Sequence, residues 1–202
     1  MTPRRSAGFA LLLLVTACSN PRRVAETALA AADSALASVP AEARDLMPDQ
    51  VASLTEAVKV GRQSVEMGEY EAATTSLGGI PDQVKVLQDS IPARKAALAA
   101  EMDTLSVAMP RNLAAVKAEL DKIARTGRRP QNLDREQLQE AQEAYAAAGP
   151  EWGDIKASFE AGKLADAMGR AHDLKARVSR AMLSLGLVAD ERAWSNVTLP
   201  PK

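Results

Sequence analysis

An all-α helical bundle of about six or seven helices is the fold this sequence predicts, on three observations. Aromatic residues are only 3% of the 202 residues while alanine is abundant, which suits close-packed helices with thin interfaces better than a sheet. Runs of alternating β-branched residues are absent. Apolar residues instead recur every three or four positions, in stretches bounded by Gly and Pro. The expected architecture is two αα-hairpins joined by a long or kinked central helix.

The elements follow in order. Asn20–Arg23 reads as a polar tether, and Val24, Ala28, Leu29, Ala32 and Leu36 stripe a first helix over Val24–Ala37. Pro40 and Pro48 confine the next piece to at most two turns. Pro48 suits a helix first turn, and Val51, Leu54, Val58 and Val65 stripe a helix reaching about Met67. Gly68 breaks it. Tyr70, Ala73 and Leu77 then mark a short helix that ends at Gly78-Gly79.

The longest periodic run starts at Ile80 and passes through Val84, Leu87, Ile91, Leu98, Met102, Leu105 and Met109. Leu113, Val116, Leu120 and Ile123 extend it, with a one-residue slip at Pro110. Such spacing keeps one seam facing a partner helix. Pro92 and Pro110 either kink this element or divide it, and Ser90 as a candidate N-cap favours a restart there. Gly127 closes the run. Asp134, with Gln137 three residues on and Leu133 able to staple onto Leu138, marks the next helix start. Its stripe of Ala141, Tyr145, Ala148, Trp152, Ile155 and Phe159 persists through Gly149-Pro150, which predicts a bend or brief interruption. After a turn at Gly162, Leu164 to Leu185 form the last helix, and residues 187–202 are an irregular tail.

Gly61, Gly68, Tyr70, Ala73 and Leu77 stand at a spacing that resembles a tetratricopeptide-type helix pair, with small residues where helices approach and large ones filling the groove. A looser copy lies 94 residues later, where Ser158–Ala167 parallels Ser64–Ala73. Tetratricopeptide arrays repeat about every 34 residues, and this chain does not. A duplication and shared αα-hairpin chemistry both account for the pair.

No catalytic constellation is present. The single histidine, His172, has no Glu-x-x-His or His-Glu-x-x-His around it, so metal-site spacing is missing and the polar side of the last helix is its expected place. Nucleophile elbows and phosphate-cradling loops are absent, and neither a metal nor another cofactor is expected. Glu140 and Glu143 are one turn apart, as charged helix faces routinely produce. Two features point to partners. Arg125, Arg128 and Arg129 cluster at a helix end, where they either complement the dipole or meet anionic headgroups or a cell-wall polymer. Trp194 in the tail either docks on the bundle or is presented to a partner.

The N-terminus carries the most specific motif. Arg4 and Arg5 precede about ten apolar residues ending in Val15-Thr16-Ala17-Cys18. That run is signal-peptide length, well short of the roughly 20 residues a spanning helix needs. Val15-Thr16-Ala17-Cys18 resembles the lipobox of bacterial lipoproteins: aliphatic, small, small, Cys. The resemblance implies a signal peptide over residues 1–17 and acylation of Cys18. Residues 18–23 would be the lipidated tether, followed by a bundle domain over 24–186. Two or three acyl chains anchor stably where one is marginal. In the Gram-negative sorting pattern Asp after the Cys favours the inner membrane; Ser19 stands there, which implies the outer membrane facing the periplasm.

Loss of Arg4 and Arg5 moves the formal net charge from −1 to about −3, so no polybasic footprint exists and nucleic acid is not an expected partner. With Cys18 acylated no thiol is left for a disulfide. The expected function is a non-catalytic envelope interaction or scaffold module, anchored to the membrane through Cys18 and holding an envelope protein or cell-wall partner. The second expectation is a carrier of a small ligand or lipid in an apolar cleft between helices.

Overall fold

The computed structural model describes residues 20–130, 133–187 and 194. Among these the chain is all-α, with seven helices and no strand: α1 (Pro21–Ala37), α2 (Ala41–Leu46), α3 (Pro48–Glu66), α4 (Tyr70–Gly78), α5 (Ile80–Thr126), α6 (Arg135–Glu160) and α7 (Leu164–Ser184). Local signals place most of the ends. Asp134 Oδ1 accepts from the Gln137 N–H at 2.8 Å while Gln137 Oε1 accepts from the Asp134 N–H at 3.1 Å, a complete capping box on α6. Leu133, just before it, is buried. At α1 the helix begins earlier than Val24. Pro21 takes the first helical position, and Asn20 Oδ1 accepts from the Arg22 N–H at 3.1 Å, so the polar tether ends at Asn20.

The central helix corrects the expectation of a restart at Ser90. α5 runs 47 residues without a break and contains both Pro92 and Pro110. Ser90 is no N-cap; its hydroxyl donates back to the Leu87 carbonyl at 2.7 Å, inside the helix. Pro92, Pro110 and, in α6, Pro150 all lie on exposed positions. A proline there leaves its orphaned carbonyl on the side where water can satisfy it, so the helix continues. Continuity also removes the slip at Pro110. The buried positions run Leu98, Met102, Leu105, Met109, Asn112 and Val116, an unbroken 4-3 spacing, and Leu113 is only half-buried. Asn112 fills the core position, 3% exposed.

The chain divides into two compact units. Unit one takes the described residues up to Val39 together with Asp49–Lys85, which comprise α1, α3, α4 and the first residues of α5. α1 packs on α4, and α1 is tied to α3 by Asp33 and Arg62 at 2.7 Å. Unit two takes Pro40–Pro48 and the chain from Val86 onward: α2, the rest of α5, α6 and α7. α6 and α7 form a hairpin held by Glu151 with Arg177 and by Ser158, which accepts from Arg170 at 3.3 Å. Glu42 of α2 pairs with Lys95 of α5, so a helix lying between α1 and α3 in sequence belongs with unit two.

The glycine turns within the two hairpins, at Gly68 and Gly162, have the same geometry, which the end of α7 at Gly186 also shows. At Gly68 (φ +80°) the N–H of Gly68 reaches Val65 O at 3.1 Å and that of Glu69 reaches Ser64 O at 2.9 Å. At Gly162 (φ +84°) Gly162 reaches Phe159 O at 3.0 Å and Lys163 reaches Ser158 O at 3.1 Å. Both are Schellman caps, which need a left-handed residue at that place. The register match extends beyond the turns. Leu54, Val58 and Gly61 correspond to Ala148, Trp152 and Ile155, and Ala73 and Leu77 to Ala167 and Ala171. Ile80, Val84 and Leu87 correspond to Leu174, Val178 and Ala181, and every one of these residues is buried. A shared turn alone does not impose a common core register so far along both helices. The hairpins follow one packing plan.

Candidate functional site

Among the described residues no group of three or more His, Cys, Asp or Glu is placed to hold a metal ion. His172 of α7 lies with Nε2 2.5 Å from Glu101 Oε1 of α5, and both side chains are about half exposed. This pair links two helices of unit two in contact with water, on the polar side of the last helix where the sequence puts His172.

Of the residues marked for partner contact, Arg125 is in the last turn of α5, and Arg128 and Arg129 follow the helix-closing Gly127 (φ +64°). The Thr126 hydroxyl donates to Lys122 O at 2.8 Å and accepts from the Arg128 N–H at 3.3 Å, which shapes the exit of the chain. All three arginines are exposed, and none pairs with an acid among the described residues. They form a cationic helix end open to solvent.

Trp194 is docked, the first of the two placements the sequence leaves open. It is 6% exposed, and Lys175 Nζ of α7 stands 5.6 Å from the ring centroid, within cation–π range. Its indole Nε1 is buried without a hydrogen-bond partner among the described residues. Cys18 and the lipobox lie outside the described residues. No described helix is long and apolar enough to cross a membrane.

Each unit carries a groove that sequence periodicity does not reveal. In unit one a groove of about 620 Å³ runs between α1 and α4. Arg23, Val24 and Ala28 line one side, Leu77 and Gly78 the other, and Pro81 of α5 closes an end. Of the stripe expected to bury α1, only Ala32 is buried; Val24 is 39% exposed and flanks the groove. In unit two a groove of about 600 Å³ passes between α2 and the Gly162 turn, with Glu42, Asp45 and Asp166 giving it an acidic lining beside Lys163. A smaller hollow of about 320 Å³ lies between α6 and α7, floored by Ala141, Ala144 and Ala181 and edged by Arg177, Arg180 and Glu140. The alanine stripes that thin the helix interfaces are the one sequence signal for these hollows.

No protein-family model, curated protein or solved structure matches this chain.

Proposed function

We propose that the protein is a lipid-anchored component of the bacterial cell envelope, held through Cys18 in the outer membrane facing the periplasm, and that it acts there as a non-catalytic interaction module. The observation that carries this reading is Val15-Thr16-Ala17-Cys18 at the end of a basic-then-apolar leader. The helical units supply docking surfaces, and the exposed arginines at 125, 128 and 129 supply a cationic patch for an anionic envelope partner. The water-exposed His172–Glu101 pair fits a surface contact better than a general base, which works best in a dry cleft.

Membrane fractionation and intact-mass analysis test the anchor. The wild type should sediment with membranes and carry acyl mass on an N-terminal Cys18, and Cys18→Ser should be released. A Cys18→Ser protein that stays in the membrane fraction refutes the lipidation. Crosslinking in native membranes tests the role: recovery of a stable envelope protein or cell-wall fragment supports it, and recovery of none refutes it.

A carrier is the second reading, favoured by the α1/α4 groove with its apolar Val24, Ala28 and Leu77. That groove is bordered by exposed residues, whereas a carrier needs to enclose most of its cargo, so the interaction module is the better supported of the two.

A further inference from the structure

We infer that the α1/α4 groove is the face unit one turns to the membrane, and that it seats an anionic phospholipid of the leaflet holding the anchor. The inference rests on the acylation of Cys18 proposed above.

Three features support this occupant. The first is reach. Cys18 is two residues from Asn20, a span of at most about 7 Å, and Asn20 itself lines the groove. A chain held at Cys18 therefore keeps the mouth of the groove within a headgroup's depth of the bilayer. The second is charge. Arg22 is engaged by Glu26 at 2.7 Å, but Arg23 lines the groove with no acidic partner among the described residues, and the first turn of α1 holds no acid. A guanidinium so placed meets phosphate with two parallel hydrogen bonds, and anionic leaflets attract basic residues at this distance.

The third is shape and polarity. From Asn20 to Ala31 the groove follows α1 for about 16 Å, close to the roughly 15 Å of one leaflet's hydrocarbon. Val24, Ala28, Ala31 and Pro81 give it apolar walls, with the fully buried Leu77 beneath them. Arg23 would hold the phosphate, with the acyl chain lying along Val24, Ala28 and Ala31.

Photo-crosslinking to lipid tests this. The full lipidated chain is reconstituted in vesicles of phosphatidylethanolamine with phosphatidylglycerol. It carries p-benzoyl-phenylalanine in place of Val24 or, as a control, in place of Val60, an exposed residue of α3 in the same unit. Position 27, also in the groove lining, replaces 24 if the helical signal shows that the bulky ring disturbs folding. The groove site should give several-fold more lipid adduct than position 60. Replacing phosphatidylglycerol by phosphatidylcholine, or Arg23→Glu, should lower that yield several-fold.

A second preparation couples the unmodified Cys18 thiol to a maleimide phospholipid, which supplies the tether whether or not the cell acylates the protein. Equal yields at the groove and at position 60 in both preparations overturn the inference. An adduct that survives Arg23→Glu and the loss of anionic lipid overturns the choice of an anionic phospholipid. A groove-selective adduct in the coupled preparation, with no acyl mass on the cell-made protein, refutes the anchor while leaving the groove's lipid preference standing.

Discussion

Gly61 of α3 lies directly against Leu77 of α4: a Cβ added at residue 61 would stand 2.4 Å from Leu77 Cδ2 and 2.5 Å from its Cγ. No real Cβ tolerates that approach, and Leu77 is fully buried, so it has little room to withdraw. At the corresponding places in the second hairpin stand Ile155 and Ala171, both fully buried. One hairpin uses small against large, the other large against small. The total volume at the contact is roughly conserved, as close-packed interiors require.

Gly61→Ala would gain about 1 kcal/mol of helix propensity and lose about 1–3 kcal/mol to overpacking. The expected result is a net destabilisation of up to about 2 kcal/mol, read by urea unfolding. Combining it with Leu77→Ala should cost less than the sum of the two single changes, since each relieves the other. Additive values in that double-mutant cycle would show that the contact is not the reason for the glycine.

Pro110 lies inside α5 on an exposed position, where it removes one helical hydrogen bond. Pro110→Ala restores the donor and raises propensity by about 3 kcal/mol, offset by up to about 1 kcal/mol of added freedom in the unfolded chain. Stability should rise by about 2–3 kcal/mol. A fall in thermal midpoint would mean that the proline at 110 is required by the packing of unit two.

Trp194 buries a large ring together with an N–H that has no hydrogen-bond partner among the described residues. Trp194→Phe keeps most of the ring and deletes the orphan donor, whose burial costs about 1–3 kcal/mol; it should leave stability unchanged or raise it. Trp194→Ala should lower it by about 3–5 kcal/mol. Equal losses for both variants would show that the indole N–H makes an essential hydrogen bond.

Arg125, Arg128 and Arg129 are exposed and pair with no acid among the described residues, so replacing all three by alanine should shift stability by under about 0.5 kcal/mol for each. The same triple variant should recover several-fold less of an anionic envelope partner in native-membrane crosslinking, and the wild-type yield should fall as salt is raised. Unchanged recovery would remove the patch from the proposed interaction surface.

Helical class, the turns at Gly68, Gly127, Gly162 and Gly186, and the capping box at Asp134 are all legible in the sequence, because each is set by a few neighbouring residues. A glycine at positive φ or an Asp three residues before a Gln acts through backbone geometry that needs no distant partner. The proposed lipobox rests on a short linear pattern, Val15-Thr16-Ala17-Cys18.

What only the tertiary structure decided concerns which face meets which neighbour. Periodicity expected Leu113 in the core and a slip at Pro110, but an unbroken α5 keeps its phase and buries Asn112. Val24 belongs to the α1 stripe by periodicity, yet α4 reaches only part of that face and a groove is left. Trp194 is drawn under Lys175, and α2 joins unit two, through residues more than ten positions away. Local torsions fix where a helix starts and stops; which of its sides is covered depends on the shapes of helices that the local pattern does not contain.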